Sequence, residues 1–162
     1  MLTPAQMATM KANILATPAL NAQPNNSDGA FFIANYYNQT ASPAFIVWRS
    51  LVLQDDVMLN GFDWARVDNL SAGKARIWEW MFDNESRAFN PSQPNTRAGI
   101  DAVWVGTQAD LDVRAAVYVR CKRSATRGEQ LLASGTGSDA TPATMSFEGQ
   151  LSYQDVQNAR NS

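Results

Sequence analysis

The residues with the most obvious chemical potential form a cationic segment in the second half of the chain. Five of the 13 basic residues fall between positions 114 and 127. Such cations can contact phosphates or the acidic side chains of a partner protein, or they can form a solvated face that nearby acids neutralise. Tyr118 is the only aromatic residue among them, so the pattern does not indicate base stacking. The candidate subunit-interface or DNA-channel contacts are Arg114, Arg120, Lys122, Arg123 and Arg127.

The residue inventory disfavours enzymatic chemistry. The chain has no histidine and one cysteine, which excludes Ser-His and Cys-His nucleophilic pairs, histidine metal sites and internal disulfides. Cys121 has cationic neighbours that can lower a thiol pKa, but it also lies on an apolar stripe, and we expect a buried, inert thiol. Asp55 and Asp56 could bind magnesium, but two adjacent acids are more often part of a helix end or a solvated turn. The glycine-rich residues 135–141 lack the lysine of a phosphate-binding loop, so we do not expect them to bind phosphate in that way. We predict no catalytic residue, no metal and no cofactor.

Length and composition predict one soluble domain. The chain has 162 residues, 45% of them hydrophobic, and its net charge is −2 with a pI of about 5.0. This is enough apolar material for a core without disulfides or metal, and the weakly acidic balance gives no general affinity for nucleic acid or anionic membranes. No apolar run approaches the roughly 20 residues of a spanning helix, and the first residues lack a cationic signal pattern. We expect a soluble protein that is made in the cytoplasm and does not bind membranes.

The elements that must position these side chains are predicted to be helices. Two local patterns mark a helix start. In one, a residue that can cap a helix is followed directly by proline; in the other, it is followed three positions later by an acidic residue. Asn60-Gly61 is typical of a helix stop. Four pairs predict starts in this way: Thr3 with Pro4, Ser42 with Pro43, Thr107 with Asp110, and Ser152 with Asp155.

The longest predicted helix carries the cationic segment and runs from about residue 108 to residue 133. On such a helix Arg120, Arg123 and Arg127 share one face because they are spaced at i, i+3 and i+7. A second apolar run, AFIVWRSLVL at residues 44–53, fits either a central strand or a buried helix. We favour a helix because the rest of the chain offers no clear strand partner.

The aromatic stretch RIWEWMFDN, residues 76–84, has two interpretations. It can be a ligand platform, or it can be part of a packed amphipathic helix over residues 70–84. We favour the packed helix, with Ile77, Trp80 and Met81 lying together and Trp78 and Phe82 beside them, because a helical domain with several broken segments needs large core side chains.

The C-terminal segment has a composition of its own. Residues 135–162 are rich in Gly, Ser, Thr and Asn, and only TMSF is strand-like. Such a segment buries little apolar surface by itself, so we favour its being held by neighbouring subunits, for example by strand addition, over packing on its own domain. The predicted fold is mainly α, a small helical bundle at 1–134 with an extended, partly β-like arm at 135–162, in one domain overall. The candidate arm contacts are Thr144, Met145, Ser146, Phe147 and Tyr153.

Two long strings carry a resemblance to a known family. DWARVDNLSAGKARIWEWMFDNESRAFNPSQPNTRAGIDAVWVGT and RAAVYVRCKRSATRGEQLLASGTGSDATPATMSFEGQLSYQDVQNARN lie between residues 62 and 161. They resemble small proteins encoded in the structural gene clusters of tailed bacteriophages and prophages. The resemblance implies a head-to-tail connector, also called an adaptor or neck protein. Such connectors are typically small helical proteins that form dodecameric rings beneath the portal.

From this resemblance we expect a virion protein made in the host bacterium. Its partners would be further copies of itself, the portal protein and neighbouring neck or tail proteins, with at most transient, non-specific contact with genome DNA. The family offers no catalytic motif. Another minor capsid- or tail-associated virion protein is the alternative within the same class. The alternative from another class is a small cytoplasmic phage-encoded regulator that binds a host protein.

Overall fold

The chain is mainly α-helical, as its sequence predicts. The computed structural model describes residues 1–59 and 61–162, so the predicted stop at Asn60 lies outside the described residues. Within these ranges no helix is both long and apolar enough to cross a membrane. The helices are α1 (Pro4–Ala16), α2 (Pro18–Asn21), α3 (Ser27–Asn38), α4 (Gln54–Val57), α5 (Trp64–Asp68), α6 (Ala72–Trp80), α7 (Pro94–Val103), α8 (Gln108–Arg120), α9 (Arg127–Leu132) and α10 (Tyr153–Asn161).

In residues 1–59 and 61–162, six short strands form three two-stranded sheets. Strand β1 pairs with β4, β2 pairs antiparallel with β3, and β5 pairs antiparallel with β6. No strand in the described part of the chain exceeds three residues. The strands are β1 (Ile46–Trp48), β2 (Val52–Leu53), β3 (Ala88–Phe89), β4 (Lys122–Ser124), β5 (Ala133–Ser134) and β6 (Thr144–Met145).

The chain divides into two compact units. Unit 1 consists of Met1–Val47 and Ser124–Ser162, and unit 2 of Trp48–Arg123. This division differs from the sequence-based one at residue 134, because it groups the C-terminal residues with the N-terminal helices.

Unit 1 is built around α1, α3 and α10. Helix α10 packs against both of the others, and it contributes the fully buried Val156 and Ala159 to their shared core. Arg160 extends this packing: its guanidinium donates hydrogen bonds to the carbonyls of Gln23 and Pro24, at 2.9 and 2.8 Å. Residues 135–162 therefore pack on their own chain, which is the alternative that the composition had disfavoured.

Unit 2 is built around a cluster of aromatic rings. The rings of Trp78 and Trp104 meet edge to face with their centroids 5.3 Å apart, and Phe62 lies about 6 Å from each. Phe82 completes the group at 5.2 Å from Trp78. Edge-to-face pairs of this kind stabilise a core by about 0.5–1.5 kcal/mol each beyond the area that they bury. The expected core position is therefore correct for Trp78 and Phe82, although Phe82 lies beyond the end of α6.

The predicted helix starts are mostly confirmed. Thr3, Thr107 and Ser152 each cap a helix, and each forms a capping box with the residue three positions later. The start predicted at Ser42-Pro43 is wrong, because no helix follows and the next apolar residues form β1 and β2. Strand β1 pairs with β4 and strand β2 pairs with β3, and the sequence did not reveal these two short partner strands.

Two helix predictions need correction in length. The helix predicted over 108–133 ends at Arg120, and β4 intervenes before α9 begins at Arg127. Thr126 starts this new helix, because it forms a capping box with Glu129. The helix predicted over 70–84 spans only Ala72–Trp80.

Candidate interaction surfaces

Helix α8 positions two of the five predicted cations. The guanidinium of Arg114 lies 3.5 Å from the carboxylate of Asp101, an ion pair with both partners partly exposed. The carboxylate also accepts a hydrogen bond from Tyr118 at 3.0 Å. Arg120 is in the last turn, where a cation is favoured by the helix dipole. Its carbonyl accepts a hydrogen bond from Arg49 at 3.3 Å.

The other three cations lie on other elements. Lys122 and Arg123 are half-buried in β4, and both of them, like Arg120, take part in interactions within the chain. Arg127 is the first residue of α9. The single helical face predicted for Arg120, Arg123 and Arg127 therefore does not exist, because the helix that would carry it ends at Arg120. Contact of these cations with a partner or with DNA stays a prediction.

Arg127 has a distinct environment in unit 1. Its guanidinium carbon lies 4.3 Å from the ring centroid of Tyr36, a cation–π arrangement. Its backbone N–H donates to the carbonyl of Gln39 at 2.8 Å, which fixes the start of α9 against the end of α3. The side chain is half-buried, so bulk water screens its charge less than that of an exposed arginine.

The predicted arm contacts have partners inside unit 1. Thr144 and Met145 form β6 and pair with β5, so the expected strand exists but its partner is the same chain. The Ser146 hydroxyl donates to the carbonyl of Leu132 at 2.6 Å, and Phe147 packs against the unit 1 core. Tyr153 is 38% exposed at the start of α10. A contact between any of these five residues and a neighbouring subunit stays a prediction.

The remaining candidate sites have structural roles. Cys121 is fully buried, which confirms the expected burial, and burial raises its pKa to about 12 despite nearby Arg49 and Lys122; the inertness of the thiol stays a prediction. Asp56 lies 3.4 Å from the guanidinium of Arg49. In the residues that the structure describes, no three His, Cys, Asp or Glu side chains are placed to hold a metal. The glycine-rich segment packs closely against the ring of Phe45. A Cβ at Gly137 would lie 2.2 Å from this ring, so only glycine fits at this position.

Sequence reasoning missed a group of exposed apolar side chains on α5 and α6 of unit 2, which together we call the tryptophan surface. It comprises Trp64 and Trp80, which are 56% and 66% exposed, together with Ile77 at 38%. Ile77 and Trp80 are three residues apart and share one side of α6. Their predicted place in the core is therefore wrong. The signal was present: residues two apart on a helix differ by about 200°, so Trp78 and Trp80 cannot both face one core.

The two tryptophans of this surface have different neighbours. The ring of Trp64 meets that of the buried Phe62 edge to face, with centroids 5.3 Å apart. Trp80 borders an open cavity of about 410 Å³, which Arg87 and Gln54 also line. Two carboxylates, those of Glu79 and Asp83, also line this cavity. Trp80 thus combines an exposed indole ring with polar neighbours.

Comparison with family models, curated proteins and solved structures yielded no match to this chain.

Proposed function

We propose that this protein is a structural subunit of a tailed-bacteriophage virion, a head-to-tail connector that forms a ring beneath the portal. The observation that carries the proposal is the exposure of Trp64 and Trp80 on unit 2. The resemblance of residues 62–161 to phage structural-cluster proteins supplies the biological setting.

Exposed tryptophans of this kind favour assembly. A tryptophan side chain buries about 150–250 Å² when it is covered, and tryptophan is enriched among the residues that dominate binding energy at protein interfaces. Trp64 rests on the buried Phe62, so its ring is already ordered before a partner arrives. Preordering reduces the entropy that association loses.

The charged groups near Trp80 favour a specific contact over unspecific adhesion. Glu79 and Asp83 line the cavity that Trp80 borders, and interfaces commonly combine an aromatic centre with a polar edge that sets register. When such a surface on one copy binds a different surface on the next copy, the two copies make a head-to-tail contact. Such contacts close into rings when the rotation between copies permits.

Electron microscopy of the purified chain, alone and mixed with the portal protein from the same gene cluster, tests the proposal. We expect closed rings, either free or stacked on one end of the portal. A chain that forms no ring and leaves the portal undecorated contradicts it. Binding of a single host protein by a monomeric chain would instead identify the regulator.

A further inference from the structure

A polar cavity in unit 1 has a composition that indicates a ligand. It measures about 260 Å³ and opens to solvent between α1, α3 and α9. No aspartate or glutamate is among its lining residues. These residues are Asn13, Tyr36, Tyr37, Ser42, Arg127, Gln130 and Leu131.

Arg127 is the charged group of this cavity. Its guanidinium carbon lies 4.3 Å from the centroid of the Tyr36 ring, a cation–π contact that occupies none of the N–H groups. Across residues 1–59 and 61–162 we find no ion pair and no side-chain hydrogen bond made by this guanidinium. A half-buried guanidinium with an unoccupied edge is suited to bidentate contact with a planar or tetrahedral oxyanion.

The neutral groups of the cavity add donors. The Tyr37 hydroxyl donates to Oδ1 of Asn13 at 2.8 Å, and this bond leaves the Asn13 amide hydrogens for another acceptor. Burial raises the pKa of Tyr37, so its hydroxyl stays protonated and keeps this arrangement at neutral pH. Gln130 and Ser42 bring an amide and a hydroxyl to the same cavity. The net result is one positive charge, several donors and no competing carboxylate.

We propose that this cavity binds an oxyanion, either a carboxylate or a phosphate, through Arg127 with Asn13 and Gln130 as neutral donors. The cavity is large enough for a carboxylate-bearing side chain or a phosphate group. A cation is disfavoured because it would face Arg127 without a balancing acid. The inference goes beyond the proposed function and does not depend on it, because it concerns unit 1 and not the tryptophan surface.

The test is a titration of the ¹⁵N-labelled full chain with sodium phosphate and, separately, with sodium acetate, followed by NMR. Sodium chloride keeps the ionic strength constant, so that general screening does not mimic binding. We expect saturable shifts of the Arg127 Nε–H signal and of the Gln130 amide signals. R127Q should raise the dissociation constant at least about tenfold, since charged hydrogen bonds contribute roughly 1.5–3 kcal/mol each. R127K keeps the positive charge but loses the bidentate hydrogen-bonding geometry of the guanidinium, so it should weaken binding less than R127Q.

The matched control is R76Q, which removes an exposed arginine on α6 of unit 2 and should leave the titration unchanged. Q130A provides a second, milder variant and should weaken binding a few-fold. Tighter binding of acetate would assign the site to an acidic protein side chain. Tighter binding of phosphate would assign it to a nucleotide or a nucleic-acid backbone, which a short DNA duplex then tests. Unsaturable shifts in the wild type, or equal dissociation constants for the wild type and folded R127Q, would overturn the inference.

Discussion

The side chain of Asn38 forms two hydrogen bonds with the backbone of Leu151. Its amide nitrogen donates to the Leu151 carbonyl at 2.9 Å, and its Oδ1 accepts from the Leu151 N–H at 2.8 Å. This pair joins the last residue of α3 to the segment that precedes α10, across 113 positions of sequence. It gives the C-terminal segment an anchor in its own chain, so removal of that segment should affect folding as well as any assembly.

Substitution of Asn38 by alanine tests this anchor. N38A leaves both polar groups of the Leu151 backbone without their partner, and we expect the free energy of unfolding to fall by about 1–3 kcal/mol. Urea denaturation measures the change. The control is N35A, which removes an exposed asparagine from the same helix and should change stability by less than about 0.5 kcal/mol. Equal stability of the two variants would contradict the anchor.

Two glycines in helices should respond in opposite directions to alanine. A Cβ at Gly29 would lie 2.0 Å from the carbonyl oxygen of Pro24, whereas a Cβ at Gly73 would have nothing within 4 Å. We expect G29A to destabilise the fold by about 1–3 kcal/mol through overpacking, and G73A to stabilise it by up to about 1 kcal/mol through helix propensity. Thermal denaturation of both variants shows whether each substitution raises or lowers the stability of the fold. A G29A variant as stable as the wild type would show that the turn at Pro24 can move to make room for the Cβ.

The buried Asp110 should make stability depend on acid pH. Arg66 donates to its Oδ1 at 2.5 Å, and this bond, with those from Thr107, holds the pKa of Asp110 well below its usual range. The ionised form therefore stabilises the fold fully above the ordinary aspartate pKa of about 4, and this contribution is lost as the pH falls through the lower folded pKa.

Urea unfolding between pH 7 and pH 2 measures this dependence. D110N should be less stable than the wild type at pH 7, and the difference should shrink below about pH 4. D112N is the control on the same helix, because Asp112 is exposed and accepts a hydrogen bond from Gln108 alone among the described side chains. A wild-type minus D110N difference that stays constant over the whole range would argue against the role of Asp110.

The thiol of Cys121 should report unfolding. It is fully buried and its pKa is raised to about 12, so hardly any thiolate is present at pH 8 in the folded chain. We expect an aromatic disulfide reagent to react with Cys121 rapidly in urea and, in buffer, only as fast as the protein opens. Equally rapid reaction in buffer and in urea would show that the thiol is accessible in the folded state.

The sequence predicts the helical class and several helix ends because those signals are local. A capping box needs only two residues three positions apart, and Thr3, Thr107 and Ser152 all form such boxes where their helices begin. The Thr126 box was equally visible, and it would have divided the predicted long helix correctly. An apolar stripe of small residues continues through that region, however, and this stripe favours one continuous helix over two.

The strands could not be predicted because their partners are short and distant. Val52 faces Phe89 and Leu53 faces Ala88, and a two-residue strand is too short to show alternation. The tryptophan surface had a local signal in the spacing of Trp78 and Trp80, but nothing local says which of the two faces the core. The cavity around Arg127 joins residues from three helices, so only the fold brings them together.

The central claim is that the tryptophan surface mediates assembly, and the most direct test is the native mass of the W64A/W80A double variant. Mass photometry of this variant, the wild type and F31A over the same concentrations makes the comparison; Phe31 is 58% exposed on α3 of unit 1 and serves as the matched control. We predict rings for the wild type and F31A, and folded monomers with a circular dichroism spectrum like that of the wild type for W64A/W80A, since each lost interface tryptophan weakens association by about 2 kcal/mol or more. Rings of wild-type mass in W64A/W80A, or a wild type that remains monomeric with and without the portal, would contradict the claim.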